Sequence, residues 1–332
     1  MRLHALPVVI LYVTEGCNLR CITCSYRQPA QNELTLSEIE QLADSLSSFG
    51  LRHIVYSGGE PLLRRDLPEI CSVFKRQGVK QTLLTNGLLL ERRLEELRGM
   101  FSEIIVSIDG PDEETHDAIR GAHSFQQIVK GVRLATKIAA GPTISIRAVI
   151  QKRNFRRILD MVEFAHSLGV GRISFLAADV LSEGFGRDRL GPVTSNETIM
   201  LDEEETTEFR QVINKMVNRY RDEIQSRFIS ESEEKLLHLV QYFDALIGKS
   251  SFPRNTCNAP MISAVITSTG NVQPCYFLPS FGQINQESLR AILNNPQAML
   301  VRDQVRSYSL ERCQTCVCTL HVSPFNALAD RF

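Results

Sequence analysis

From Val8 to about Ala178, short runs of β-branched and aliphatic residues alternate with longer stretches of helical period. That is the pattern of repeated strand–helix units about a parallel sheet. The runs predict strands at Val8–Val13, His53–Ser57, Gln81–Thr85, Ile104–Ile108, Thr143–Ile150 and Arg172–Ala177. Between the first two, Thr35-Leu36-Ser37-Glu38 has the form of a capping box, and Leu36, Ile39, Leu42, Ala43 and Leu46 share one helical face before Gly50. The punctuation recurs, with Asp66 opening and Gly78 closing one helical run, and Asn154 and Gly169 another. Six units fall short of a closed eight-unit barrel and predict an open, partial one, with its site at the carboxyl ends of the strands.

After Asp179 the pattern changes. Gly184, Gly186, Gly191 and Pro192 mark a loop, and Leu201-Asp202-Glu203-Glu204-Glu205 supplies the acidic start that suits a helix dipole. A charged amphipathic stretch then runs to about Phe228, and a second helical stretch covers Glu231–Ile247. Met261–Ile266, the turn at 268–271 and Val272–Phe277 read as a β-hairpin with Cys275 on its second arm. The expected organisation is an α/β core at 1–178, a helical insertion or linker at 179–250 and a small hairpin/helix domain at 251–332.

Charge removes several function classes. Thirty-seven basic residues against thirty-eight acidic ones give a net charge of −1, without the one-sided field that a nucleic-acid coat or polybasic membrane anchor needs. No apolar run approaches the roughly 20 residues that span a bilayer. Residues 1–12 lead into Glu15 with no small-residue cleavage site, so they read as a strand of a cytoplasmic protein.

The nine cysteines are clustered. Cys17, Cys21 and Cys24 lie near the start, Cys257, Cys275, Cys313, Cys316 and Cys318 near the end, and Cys71 stands alone on the apolar face of a predicted helix, as a core thiol does. A disulfide scaffold belongs to short secreted chains, so clustered thiols here point to metal. His166, His238 and His321 stand away from every motif and read as surface or capped histidines.

Cys17-x3-Cys21-x2-Cys24 follows the first strand directly, in a loop opened by Gly16. Three thiolates can hold three irons of a [4Fe–4S] cluster and leave the fourth iron open to a small molecule. Zinc in a structural site wants four closed ligands, and no fourth Cys or His lies near; the spacing favours iron–sulfur and leaves zinc as the alternative. In the late set, Cys257-x17-Cys275 is followed by Cys313-x2-Cys316-x-Cys318. Five thiols exceed the four that close a cluster, so one is incidental or serves as a hydrogen donor, and Cys313, Cys316 and Cys318 are the candidates. Cys313-x2-Cys316 also has zinc-knuckle spacing.

These motifs resemble the radical S-adenosylmethionine (SAM) enzymes over about residues 8–178. Behind the cysteine loop, Ser57-Gly58-Gly59-Glu60-Pro61 is similar to the family's Gly-Gly-Glu-Pro motif, Thr85-Asn86-Gly87 ends the third strand and Ser107-Ile108-Asp109-Gly110-Pro111 ends the fourth. The resemblance implies a partial (β/α)6 TIM-like barrel. It implies SAM held by Gly58, Gly59, Glu60 and Asn86, with Ser107 and Asp109 on its ribose or methionine part, Arg120 and Arg147 meeting its carboxylate, and Val149 and Leu176 against adenine. The residue types suit these roles, since glycines admit close backbone approach and a carboxylate accepts a charge-assisted bond from an ammonium. Thr23 stands where many relatives carry an aromatic residue, and Tyr26 is the candidate to supply that ring.

Gly270-x4-Cys275 resembles the start of the SPASM or shorter twitch extension, which holds an auxiliary iron–sulfur cluster, and five cysteines suit one such cluster. The implied activity is one-electron reduction of SAM to a 5′-deoxyadenosyl radical that abstracts hydrogen from a substrate. An auxiliary [4Fe–4S] cluster would assist oxidation, in peptide or cofactor maturation or in tetrapyrrole or natural-product modification. The alternatives are a redox-neutral epimerase that uses a spare cysteine as hydrogen donor, and a non-enzymatic two-cluster electron-transfer protein. A one-electron reductant such as flavodoxin or ferredoxin is the implied partner, and the substrate is a small molecule or a peptide. Cys17 lies too early for the leader-gripping segment of many peptide-modifying relatives, and residues 179–250 are expected to carry substrate specificity.

Overall fold

The six runs become six parallel strands in the computed structural model, which describes residues 1–187, 191, 194–318 and 320–321. They are β1 (Val8–Thr14), β2 (His53–Gly58), β3 (Lys80–Thr85), β4 (Glu103–Ser107), β5 (Thr143–Ile150) and β6 (Arg172–Ala177). Between them run α1 (Leu36–Ser47), α2 (Leu67–Arg76), α3 (Leu90–Arg93), α4 (Glu113–Arg120), α5 (Phe125–Ala135) and α6 (Ile158–Leu168). Each strand pairs with its successor, from Val8↔His53 at one end to Ile150↔Ala177 at the other, which makes a partial barrel. The two-residue period decides which side chains face where. On β5, Ile144, Ile146, Ala148 and Ile150 are buried in the layer shared with the helices, while Ser145 and Arg147 line the inside. The capping box forms as predicted, with Thr35 Oγ1 accepting from Glu38 N and Glu38 reaching back to Thr35 N at 2.8 Å.

The late segment extends the same sheet. β7 (Ser263–Ile266) pairs parallel with the free side of β1, and β8 (Asn271–Gln273) and β9 (Gly282–Gln283) follow antiparallel. Among the described residues the strand order is β6-β5-β4-β3-β2-β1-β7-β8-β9, and one apolar core runs from Leu46 and Phe74 to Ile266 and Ile292.

Five expectations are corrected locally. Cys275 lies beyond the hairpin's second arm, because Pro274 has no N–H to continue the ladder after Gln273. Met261 belongs to a short helix, Ala259–Ile262, ahead of the first arm. The amphipathic stretch after Asp202 breaks at Tyr220, whose hydroxyl is held by Glu163 at 2.5 Å, into helices Glu203–Arg219 and Arg221–Gln225. Glu231 precedes its helix, Glu233–Leu246, and turns inward instead. Asp66 pairs with Arg64 at 2.8 Å rather than capping α2. Pro192 lies outside the described residues. No described helix is long and apolar enough to cross a membrane.

Burial lowers the pKa of His53 and of His116 from the ordinary 6.5 to about 4, with Lys80 adding to the first and Arg120 to the second. The folded state therefore prefers both rings neutral. Their contribution to stability is complete above pH 6.5 and is lost as pH falls towards 4. His53→Gln, which keeps a polar partner for Thr82, is expected to flatten the fall of the urea midpoint over that window; a slope equal to the parent's would remove His53 from the account.

Candidate functional site

The first three thiols sit in a loop at the carboxyl end of β1 that is held from several sides. Glu33 Oε1 accepts from Thr14 Oγ1 (2.9 Å), Glu15 N (2.7 Å) and Ala30 N (3.0 Å). The end of α4 grips the loop through Arg20 N to Arg120 O and Ile22 N to Ile119 O, at 3.1 and 3.0 Å. From β2, Gly59 N donates to Thr14 O and Glu60 N to Gly16 O, both at 2.8 Å. A Cβ on Gly58, whose φ is +116°, would lie 2.2 Å from Thr14 O, and one on Gly59 would lie 2.2 Å from Gly16 O. The paired glycines thus let two backbones touch beside the thiols.

Cys17, Cys21 and Cys24 face one another closely enough that their charges interact. Burial raises the Cys17 pKa, and burial together with the neighbouring thiols pushes Cys24 to about 12. A bound cation would offset the raised pKa values of Cys17 and Cys24, so the set suits a metal group. No three of the described thiols come mutually within 4.8 Å, whereas four thiolates around one zinc would sit about 3.8 Å apart. The wider spread suits an iron–sulfur cluster.

Asn86, Ser107, Asp109, Val149 and Leu176 lie at or just beyond the ends of β3 to β6, Arg120 ends α4, and Arg147 stands at the middle of β5. Asn86 lies 3.9 Å from Cys17 Sγ and bonds Asn18 Oδ1 at 2.8 Å. Glu60 is fully buried and accepts from Thr85 Oγ1 (2.7 Å), Asn86 N (2.7 Å) and Leu62 N (2.9 Å). Burial raises its pKa against those three bonds. Asp109 takes Val149 N at 2.7 Å and Arg120 Nε at 2.6 Å, and Arg120 Nη1 lies 3.8 Å from Cys21 Sγ. Glu60 and Asp109 are therefore engaged in shaping the rim. Ser107 and Leu176 are half-buried at strand ends, in register with Arg147 and Val149 respectively. Tyr26 packs beside Cys24 and edge-on to Tyr12, with ring centres 6.2 Å apart.

The five late thiols all line one small apolar pocket of about 80 Å³, with Ile10, Val265 and Phe277 among its walls. Burial raises Cys275 to about 12, with Cys257, Cys313 and Cys318 adding to the rise. Cys316 Sγ donates to Cys318 O at 3.0 Å. Cys316 and Cys318 also line a second cavity, of about 450 Å³, inside the barrel. Tyr276 stands in both walls and stacks on Tyr12 at 6.2 Å and on Phe185 at 6.5 Å. Phe185, from the loop after β6, accepts Ser25 N at 3.0 Å through its carbonyl, so the two thiol sets are joined by an aromatic bridge. Asp179 binds Arg312, next to Cys313, at 2.8 Å, and also pairs with Arg187.

Sequence reasoning missed Glu33, Tyr12 and Tyr276, and Tyr12 was signalled only by its strand parity with Ile10. Cys71, fully buried in α2 with its pKa pushed to about 12, is the core thiol expected.

Comparison with known proteins agrees with this geometry. A family profile described as the radical SAM superfamily matches residues 11–165, and one described as an iron–sulfur cluster-binding domain, SPASM, matches residues 257–317. Fe-coproporphyrin III synthase of Methanosarcina barkeri is 35% identical over 176 residues, covering 51% of this chain and 43% of that protein. The antilisterial bacteriocin subtilosin biosynthesis protein AlbA of Bacillus subtilis is 29% identical over 309 residues, covering 89% and 60%. The chain spans about half the length of the relatives it matches in sequence. Among solved structures, Streptococcus suis SuiB bound to precursor peptide SuiA superposes with a TM-score of 0.66 at 16% identity, covering 96% of this chain and 72% of that one. The protein anSMEcpe with bound AdoMet superposes with a TM-score of 0.65 at 16% identity, covering 93% and 88%. These last two show a shared fold. The matched domains imply SAM, a [4Fe–4S] cluster at the first thiol set and auxiliary iron–sulfur at the second.

Gly59→Ala tests the backbone contact. It is expected to lose about half of the reconstituted iron, that of the first site, while the late site stays loaded; iron and sulfide counting after anaerobic reconstitution reads the difference, and full retention would show that the loop tolerates a side chain there. The cysteine loop, the glycine pair pressed against it and the two domain matches in chain order converge: the chain carries a radical SAM domain over residues 11–165 and a SPASM iron–sulfur domain over residues 257–317.

Proposed function

We propose that this chain is an enzyme that cleaves SAM reductively and oxidises a peptide or small-molecule substrate seated in the barrel cavity, with the late thiol site receiving the second electron. The observation that carries this reading is the cavity itself. It reaches Leu176 at the SAM rim and is walled at its side by Cys316 and Cys318 of the late set. When bound, the cluster and SAM supply the electron and the 5′-deoxyadenosyl radical that takes hydrogen from the substrate. The chain binds, orients and excludes water. Cys17, Cys21 and Cys24 would hold the first cluster, and Asn86 and Arg120 place donors beside two of those sulfurs. Ser107 and Leu176 would meet SAM from β4 and β6, and the Gly58–Glu60 run fixes the loop's height above the rim. A flavodoxin or ferredoxin is the proposed electron donor. The proposed division of labour follows 1–178 for SAM, 179–250 for substrate selection and 251–332 for the auxiliary site.

A second reading, redox-neutral epimerisation, is favoured by one contact. Cys316 holds its own chain's carbonyl while facing the cavity. In this reading Cys257, Cys275, Cys313 and Cys318 would close the auxiliary cluster and leave Cys316 to return a hydrogen atom.

Reduced protein with SAM is expected to form 5′-deoxyadenosine. About eight irons should fall to about four when Cys17, Cys21 and Cys24 are replaced by Ala. Iron content without 5′-deoxyadenosine would instead support an electron-transfer protein. Cys316→Ala separates the two enzymatic readings. Oxidation predicts unchanged iron and turnover, and epimerisation predicts unchanged iron with loss of hydrogen return, seen as missing solvent deuterium in the product.

A further inference from the structure

Arg147 is an inward-facing cation of the barrel wall, and among the described residues it forms no ion pair within 4.0 Å. It stands at the middle of β5, in register with Ser107 on one side and Ser174 on the other. It lines the cavity of about 450 Å³. Its Nε is buried without a hydrogen-bond partner, and no described carboxylate forms an ion pair with the guanidinium within 4.0 Å. Of the other cations in that lining, Arg172 has Glu103 at 3.7 Å, and Lys235 has no ion pair among the described residues.

The nearest acid to Arg147 does not serve as its counter-ion. Glu231 gives one oxygen to Ser174 Oγ at 2.8 Å and the other to Phe175 N at 2.9 Å. Burial raises the Glu231 pKa, while these two bonds and the charge of Arg147 lower it. A guanidinium N–H shut away from water without a partner is costly, and a ligand that accepts from it relieves that cost. A planar fork of donors is completed best by a carboxylate, which can take two parallel bonds.

The two candidate arginines differ in their surroundings. Among the thiols, the charge of Arg147 acts on Cys318, and it acts also on the Tyr276 hydroxyl. Arg120 is the arginine beside Cys21. The two arginines that sequence alone assigns to one carboxylate therefore stand at two different places, one at the first thiol set and one at the wall shared with the second. The remaining surroundings of Arg147 are largely apolar, with Ile10, Ile105, Phe175 and Leu239 among them. A ligand that fits is an apolar body bearing a carboxylate. We propose that Arg147 anchors the carboxylate of such a substrate inside the barrel, between the SAM rim and Cys316. As a substrate anchor it deepens the proposed function and rests on that reading; as an anion site it stands alone.

The probe is benzoate, with benzyl alcohol and phenyl phosphate as its neutral and phosphate counterparts. Binding to the cluster-loaded protein is measured by saturation-transfer NMR with neither SAM nor reductant present. Benzoate is expected to bind and benzyl alcohol to bind about tenfold or more weaker, and Arg147→Gln should weaken benzoate by about ten- to a hundredfold while leaving benzyl alcohol as it was. Arg147→Lys should keep part of the preference, because the charge remains and the fork is lost. Equal binding of benzoate and benzyl alcohol overturns the proposal, as does a benzoate affinity that Arg147→Gln leaves unchanged. Tighter binding of phenyl phosphate than of benzoate overturns the carboxylate assignment. Should Arg147→Gln fail to fold, crystals of the parent soaked in 4-bromobenzoate decide. A bromine anomalous peak in the barrel with the carboxylate on Arg147 supports the anchor, and a peak elsewhere or none removes it. Because the parent's 5′-deoxyadenosine assay is separate, its failure strikes the proposed function and leaves the benzoate result standing.

Discussion

Three thiols can face a common point only if the ten or so residues that carry them are stopped from moving, and a loop after a strand has few ways to achieve that. Here the constraint is backbone against backbone. The end of β2 donates two hydrogen bonds into Thr14 and Gly16, at a separation that no side chain on Gly58 or Gly59 would permit. The end of α4 closes the other side through Arg20 and Ile22. Each further feature of the rim hangs on this contact. Glu60 follows the glycines directly, its buried carboxylate fixes Asn86, and Asn86 in turn lies against Cys17. The Gly-Gly-Glu-Pro run is therefore first a clamp on the cysteine loop, whatever it offers to SAM.

Charge is distributed by the same economy. Asp109 is almost fully buried, and it tolerates that position because Val149 N and Arg120 complete it. Removing one partner from such a pair costs about 3–5 kcal/mol, since the other is left as a lone buried charge. At the side of the barrel Asp179 plays the corresponding part, tying the loop after β6 to Arg312 beside the late thiols. Arg147 departs from this rule among the described residues. In a wall where other buried charges are completed by the chain, one left open marks where something other than the chain is received.

Much of the barrel was legible because its strands obey a local rule. Alternation at period two and helical period between the runs are properties of neighbours in sequence, and β5 and β6 fall where the pattern puts them. The thiol sets were legible for a similar reason, since ligand spacing is a short-range signal. What sequence did not show depends on residues far apart in the chain. Glu33 organises Thr14 and Glu15 across a turn that no period announces. Tyr276 meets Tyr12 only because β7 adds to the free side of β1. Glu231 reads as the first residue of a helix, and becomes a wall of the barrel because β6 offers it Ser174 and a free N–H. The end of the hairpin at Gln273 was legible after all, in Pro274.

The addition of β7 to β1 has a consequence for how the two thiol sets work together. The first set hangs from the carboxyl end of β1, beyond Thr14, while the late set gathers beside Ile10 on the same strand. Four residues of extended chain separate these levels, about 13 Å along the strand. A strand paired on both sides cannot stretch or slide without breaking both ladders, so β1 is a fixed spacer between the sites. Tyr12 lies on that interval, and both Cys24 and Cys275 act on its buried hydroxyl. The space between the thiol sets is thus filled by rings on the side of β1 and left open on the side of Arg147. Rings keep water from the first path, and the second is the cavity of about 450 Å³.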